Sequence, residues 1–483
     1  MLVQQQQIKI SAFSGLYDLI VPKDNILRRI NDLIDFTFIH EELVDKYCPN
    51  NGRAAESPIR MFKYLLLKTV YTVSDVDVVE RSRYDMSFKY FLDMSPEEDV
   101  INPSSLTKFR KLRLKDTGLL NLLIGKTVSI AIEKGIVRSR SIIVDATHSL
   151  SRSNPYPALE VLRGRSKPLR KAAYAVDEGM KDRMPEKNAS DDLEKELAYC
   201  RGLEKYIESD QTLSLVPAVK EKLNLLKETV EDTQENHILS KDRDARTGHK
   251  SADSPFFGYK AHLAMTEERI VTAAIVASGE KGDGPELPKL LEISQNNGIK
   301  VDTVIGDSAC SGKENLDSTG RQDIKVVAKL NPSIAQGSRK DEDRFGYNKD
   351  ADMFVCPAGH LAIRRARQGK KNRGENQADT YYFDVEKCKT CPLRENCYKA
   401  GAKAKTYSVT IKSDLHRQQM AFQETDDYKE KTGHRYKVEA KNSGLKNVHG
   451  HGRATSYGIT NMQMQGALAI FTVNLKRIIK LTN

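Results

Sequence analysis

Cysteine is sparse in this chain, with seven in 483 residues. That is too few for a disulfide-stapled scaffold, so most should be reduced thiols or metal ligands. Long apolar runs are also missing. The longest, roughly 466–475, is about half of the ~20 residues that a membrane-spanning helix needs. The opening MLVQQQQIKI has no basic start followed by an apolar stretch, so a secretory signal is not expected. The chain is expected in the cytosol, with no membrane partner. No Gly-x4-Gly-Lys follows a strand-like run, and Gly282-Asp283-Gly284 reads as a turn, so ATP is not implied. Tryptophan and internal repeats are absent, and the four glutamines at 4–7 are too few to count as low complexity.

What is present is charge and enough apolar material to fold. Hydrophobic residues make up 39% and charged residues 30%, with a formal net charge of +11. A chain of this length favours two or three domains. The basic excess favours a polyanionic partner, without separating DNA from RNA or an acidic surface.

Residues 20–135 read as helical, because strand-like alternation is missing. Asp24-Asn25 can cap a helix with Ile26, Leu27, Ile30, Leu33 and Ile34 on one face. Ser57-Pro58 begins another, leading into Met61, Phe62, Leu65, Leu66 and Val70. A third capped start, Ser104-Ser105, precedes a basic helix with Lys108, Arg110, Lys111, Arg113 and Lys115. We therefore assign 1–135 to a helical domain. From Arg140 the pattern changes to short strands at 141–147, 257–265, 269–277, 301–307 and 324–330, with a helix near 286–295. These give an α/β core of 136–148 and 250–334, a mixed sheet flanked by helices. It is interrupted by an insertion at 149–249, read as partly a helical hairpin and partly flexible. A β-like, Cys-rich insertion at 335–410 follows, and 411–483 supplies closing helices around 432–447 and 461–480.

Two of the strands end in a carboxylate. Ser-Ile-Ile-Val-Asp-Ala-Thr ends on Asp145 and Val-Asp-Thr-Val-Ile-Gly-Asp on Asp307. A buried strand is an unfavourable place for a charge, and a divalent metal is the partner that tolerates two carboxylates side by side. Either aspartate alone reads equally well as a turn or cap at a strand end. The third acid would sit on a helix. Arg435, Glu439 and Lys446 are spaced by four and then seven residues, which returns them to one face. One acid between two bases can bind a metal while the bases hold phosphates. An ordinary salt-bridged surface helix has the same spacing.

Together, VDATH, VIGDSACSGKEN and the Arg-x3-Glu-x6-Lys helix resemble the DDE transposases of bacterial insertion sequences, which have an RNase H-like core. The wider signature is Tyr-x2-Arg-x3-Glu-x6-Lys, and Thr432 stands where its Tyr would lie. Gly452-Arg453, the Gln463/Gln465 region and Asn474-Leu475-Lys476-Arg477 resemble that family's closing helix. The N-terminal helices resemble the DNA-binding domain of one branch. The resemblance implies a catalytic triad of Asp145, Asp307 and Glu439 holding two Mg²⁺ (or Mn²⁺) ions about 3.5–4 Å apart. It implies cleavage and strand transfer at transposon ends and target DNA, in a homodimer on DNA. Arg435, Lys446, Lys108, Arg110, Lys111 and Arg113 would contact that DNA. A nuclease or resolvase of the same core fold, and a non-catalytic sequence-specific DNA-binding protein, remain alternatives.

Cys388-x2-Cys391-x5-Cys397, with Cys356 upstream, has the grouping of a structural zinc site, and His360 is a spare ligand. Four reduced thiols are the plain alternative. Cys48, Cys200 and Cys310 read as structural, and Cys310 has no paired His for thiol catalysis. His148 and Asp283 are candidates for support around the carboxylates, or capping residues. Lys260 and His262 alternate with apolar neighbours and face either DNA or solvent.

Overall fold

The computed structural model describes residues 11–48, 54–234, 240–251, 254–330, 345–348, 351–369, 377–395, 397–410 and 414–482. The glutamines at 4–7, and 335–344 of the Cys-rich stretch, lie outside the described residues.

The N-terminal third folds as helices for the reasons that the sequence suggests. In α1 (Ile26–Leu33) the Asn25 side chain accepts from the Leu27 N–H at 2.9 Å. In α2 (Pro58–Tyr71) proline opens the helix and Ser57 Oγ accepts from the Arg60 N–H. Caps of this kind satisfy donors that the first turn leaves open. A reciprocal Ser74–Asp77 capping box starts α3 (Asp75–Arg81). The basic helix differs from its expected start. In α4 (Ser104–Phe109) no serine side chain caps the first turn; Pro103 occupies that position, and Asn102 Oδ1 accepts from the Ser104 N–H. It runs into a π-helical turn, Arg110–Leu114, before α5 (Leu119–Glu133).

The sheet has six strands: β1 (Ser141–Leu150), β2 (Arg246–Ser251), β3 (Ser254–Thr266), β4 (Val271–Ser278), β5 (Thr303–Ile305) and β6 (Lys325–Val327). Its order is β2-β3-β1-β5-β6, and β4 pairs with the remaining length of β3. The β1–β5 and β5–β6 pairs are parallel and the others antiparallel. This mixed α/β sheet, flanked by helices and preceded by a helical region, is the RNase H-like architecture. Helix α9 (Leu287–Asn296) packs on β4, while α13 (Tyr436–Asn447) packs on β1. The long α14 (Ile459–Leu481) lies against α2, α5 and β4.

The 149–249 insertion is not a hairpin. It contains three long helices, α6 (Ala158–Val176), α7 (Leu193–Ser209) and α8 (Pro217–Gln234). They close their own core of Leu162, Leu169, Cys200, Leu203, Ile207, Leu223 and Leu226. Periodicity revealed the helices but not how many share one core. In the Cys-rich stretch β7 (Gly346–Asn348) pairs with β8 (Met353–Val355). A separate three-stranded sheet joins β9 (Arg364–Gln368), β10 (Ala378–Phe383) and β11 (Lys405–Thr410). Helix α10 (Val385–Lys389) lies between β10 and β11, and α11 (Asp414–Gln423) and α12 (Asp426–Thr432) lead to the closing helices.

A single apolar cluster runs from Leu27 in α1 through the sheet to Ile479 in α14. The edge-on contact of Phe62 with Phe471, 5.9 Å between ring centres, lies within it. Asn474 crosses the same core, fully buried. Its Oδ1 accepts from the Val271 N–H (2.9 Å), and its Nδ2 donates to Val271 O (2.8 Å) and Thr127 Oγ1 (3.0 Å). The backbone of β4 is thereby satisfied at its first residue by a side chain. Asn474→Ala should therefore destabilise the protein by about 2–4 kcal/mol, because it strands both Val271 groups without water. Urea denaturation is the check, and a loss below about 0.5 kcal/mol would mean that the backbone finds other partners.

Candidate functional site

The candidate site is built on β1. Parallel pairing sets Ile143 opposite Ile305 on β5, and two residues further along each chain stand Asp145 and Asp307. The neighbouring strand on the other side is β3, where Leu263 faces Asp145 and His262 faces Ala146. Asp145 is thus held on a central strand. Burial raises its carboxyl above the usual range; Arg435 and the Ala146 amide oppose this, while Asp307 and Asp283 add to it. The Arg435 guanidinium is 3.6 Å from Asp145 Oδ1, and Asn442 Nδ2 donates to Oδ2 at 2.8 Å.

Strand β5 stops short of Asp307. The aspartate caps a 3₁₀ turn, Ser308–Ser311, accepting from the Ala309 N–H at 3.0 Å. The turn folds Cys310 back under Gly306, leaving no space for a side chain there. The buried Cys310 thiol is pushed up to about 12, chiefly by burial.

Helix α13 supplies the facing wall. Glu439 and Lys446 line an open cleft of about 500 Å³ together with Asp145, His148, Lys260 and Asp283. Arg435 lies in a 3₁₀ turn just before α13. Lys446 Nζ is 3.2 Å from His148 Nδ1. Burial, then Lys446, Lys250 and Lys260, lowers His148 to about 4, so its ring is neutral at pH 7. Lys260 Nζ donates to Asp283 Oδ1 (3.0 Å) and to Lys281 O (2.8 Å). His262 faces neither DNA nor solvent: it is 1% exposed, with Nδ1 3.4 Å from Asp283. On the far side of α13, burial, then Arg477 and Arg269, lowers the Lys441 amine to about 7.

Two residues of this cleft escaped the sequence reading. Asn442 is a neutral side chain with no charge to mark it, although its i+3 spacing from Glu439 offered a clue. Lys250 sits on β2, at the end of the long insertion. Thr432, where the wider signature has Tyr, donates to Tyr428 O at 2.8 Å, within its own helix α12.

The N-terminal basic residues divide. Arg110 makes a two-pronged ion pair with Asp75, and Arg113 donates to Lys46 O while lying 4.2 Å over the Tyr47 ring. Both guanidinium groups are committed inside the bundle, whereas Lys108 and Lys111 are exposed. The four cysteines Cys356, Cys388, Cys391 and Cys397 line one cavity of about 80 Å³ with His360. Burial raises the Cys388 thiol, and the other three cysteines add to the rise. Among the described residues, no three His, Cys, Asp or Glu side chains are drawn to coordinating distance as they stand. Among them too, no helix is long and apolar enough to cross a membrane.

Two family models match the chain. Residues 16–112 match "Transposase domain (DUF772)", and residues 355–479 match "Transposase DDE domain". The chain belongs to the DDE transposases of insertion sequences. The second match contains Arg435, Glu439, Lys446 and the four grouped cysteines of the transposase, while Asp145 and Asp307 precede it. No curated protein matches the transposase significantly.

The turn below Asp307 generates a direct test. Gly306→Ala should destabilise the transposase by about 1–3 kcal/mol, the usual scale of overpacking. In a Cys310→Ala background most of that loss should disappear. Equal losses in both backgrounds, measured by urea denaturation, would rule out the Cys310 contact as the reason for glycine.

Proposed function

We propose that the transposase cuts and rejoins DNA strands at a divalent-metal site formed by Asp145, Asp307 and Glu439. The observation that carries this reading is the juxtaposition of β1, the turn that follows β5, and α13. Two carboxylates follow one parallel register, and a third faces the first across a single open cleft. The donor set fits Mg²⁺ or Mn²⁺. All three donors are hard oxygens, and Asp145 carries the unfavourable neighbourhood of Asp307 and Asp283 that a cation relieves. When bound, such ions supply activation of a water or 3′-hydroxyl and stabilisation of the leaving oxygen.

The chain's own residues then have separable tasks. Asn442 fixes the rotation of the Asp145 carboxylate through Oδ2. Arg435 favours the charged form of Asp145 and opposes the larger effect of its burial. Lys446, with the neutral His148 beside it, and Lys250 present positive charge along the cleft to a phosphate backbone. Lys108 and Lys111, the exposed pair on the N-terminal bundle, are free to meet DNA phosphates.

Asp145→Asn, Asp307→Asn and Glu439→Gln should each retain the fold and DNA binding. Each should lose cleavage and joining by roughly 10³-fold or more, the scale of losing one transition-state contact. A cleavage-and-joining assay with the flanking DNA ends decides it. Near-normal cleavage by any one variant removes that residue from the site, and near-normal cleavage by all three removes the mechanism.

We further propose that Cys356, Cys388, Cys391 and Cys397 hold a structural zinc ion remote from the strand chemistry. Support comes from their shared cavity and from Cys388, whose thiol is raised first by burial and then by the three other cysteines beside it. Protein prepared without added zinc should contain about one equivalent, in line with a four-cysteine site. Cys391→Ser should lose the metal and become protease-sensitive between residues 350 and 400. Metal-free protein with undiminished resistance there would refute the assignment.

A further inference from the structure

Helix α13 has a second polar face. At ~100° per residue, Lys441 lies about 200° around the helix from Glu439 and points away from the cleft. Its charged neighbours are Arg477 of α14 and Arg269 of the β3–β4 turn. Both arginines are anchored. Arg477 Nε donates to Glu268 O at 2.8 Å. Arg269 has a left-handed backbone (φ 67°), and its guanidinium lies 5.8 Å over the Tyr436 ring. All three residues retain partial exposure.

The acids of the same turn are engaged elsewhere. Glu267 Oε2 pairs with His434 Nδ1 (2.7 Å) and Lys437 Nζ (3.0 Å). Glu268 accepts from the Arg138 and Ser139 N–H groups (3.1 and 2.9 Å) and from Ser139 Oγ (3.0 Å). Among the described residues no carboxylate forms an ion pair with Lys441, Arg269 or Arg477. Glu268 offsets the charge of Arg477 in part; three cations against one shared carboxylate remain unfavourable, and an added anion reverses the sign of the interaction. Guanidinium groups match phosphate oxygens in shape, and a lysine adds a point charge.

We propose that Lys441, Arg269 and Arg477 form a phosphate-binding site for a DNA backbone, on the opposite face of α13 from the carboxylate cleft. This rests on the transposase reading, in which DNA is the polyanion at hand. It places DNA contacts on both sides of one helix, so a second stretch of duplex can be held while the first occupies the cleft.

The test uses the full chain and a fluorescently labelled duplex of mixed sequence, with affinity measured across a salt series. Arg269→Asn suits a left-handed position, and Lys441→Gln keeps length without charge. Arg477 is left intact, since it holds the turn through Glu268. The double variant should weaken binding and make the log-affinity against log-salt slope shallower by about two, one per lost phosphate contact. Thermal melting should be unchanged. If the double variant does not fold, Arg269→Asn alone carries the test, with a change of about one. A slope and affinity equal to the native protein's would overturn the proposal. Lys446→Ala separates the two readings. If it shallows the slope while the double variant does not, the cleft stands and this site falls. If the native protein fails to bind duplex DNA, both fall.

Discussion

The structure depends on a carboxylate kept on the central strand of a sheet. Asp145 is half-buried beside β3, just past the last residue of β1 that pairs with β5, where an isolated charge is disfavoured. It is retained because α13 and the turn before it bring an amide to one oxygen and a guanidinium toward the other. That requirement fixes where α13 must lie on β1. The position of α13 then fixes which of its residues face the cleft. Val438 and Leu445, both fully buried, supply the apolar contact that holds the helix in place.

The same constraint explains how the chain tolerates long interruptions. Strand β1 leaves the sheet for three helices before β2 returns, and the exit and return are tied by a buried carboxylate. Asp242, 1% exposed, accepts from Ser151 Oγ at 2.7 Å, from the Gly458 N–H at 3.0 Å and from the Tyr259 hydroxyl. The loop before α14 adds backbone bonds between Leu150 and Gly452 and between Ala454 and Leu150. Loop-closure entropy grows only slowly with loop length. An insertion with its own core therefore need not disturb the register that aligns Asp145 with Asp307.

Much of this was legible in the sequence because strands and helices announce themselves by period. The strands that carry Asp145 and lead to Asp307, the α2 face and the spacing of Glu439 and Lys446 all follow from residue type and interval, although β1 does not end at Asp145 but runs on to Leu150. Other features needed partners that are distant in sequence. Arg110 and Arg113 read as DNA-contacting residues of a basic helix because Asp75 and Lys46 give no local hint of pairing with them. His262 alternates with apolar residues, yet alternation does not tell which face is buried when β3 is covered on both sides. The three-helix insertion shows period without partner number. Asn442 carries no charge, so only the packing of α13 on β1 reveals that it meets Asp145.

The two sides of the site also differ in how finished they are. Asp145 and Asp307 are held by strand register, by backbone and side-chain donors and, for Asp307, by a turn with no room at Gly306. Glu439 is exposed on the cleft wall and makes no hydrogen bond or ion pair among the described residues. A glutamate on a helix has reach that an aspartate lacks, at the expense of up to ~2 kcal/mol of rotamer freedom when it is fixed. The strand half is therefore preorganised and the helix half is open.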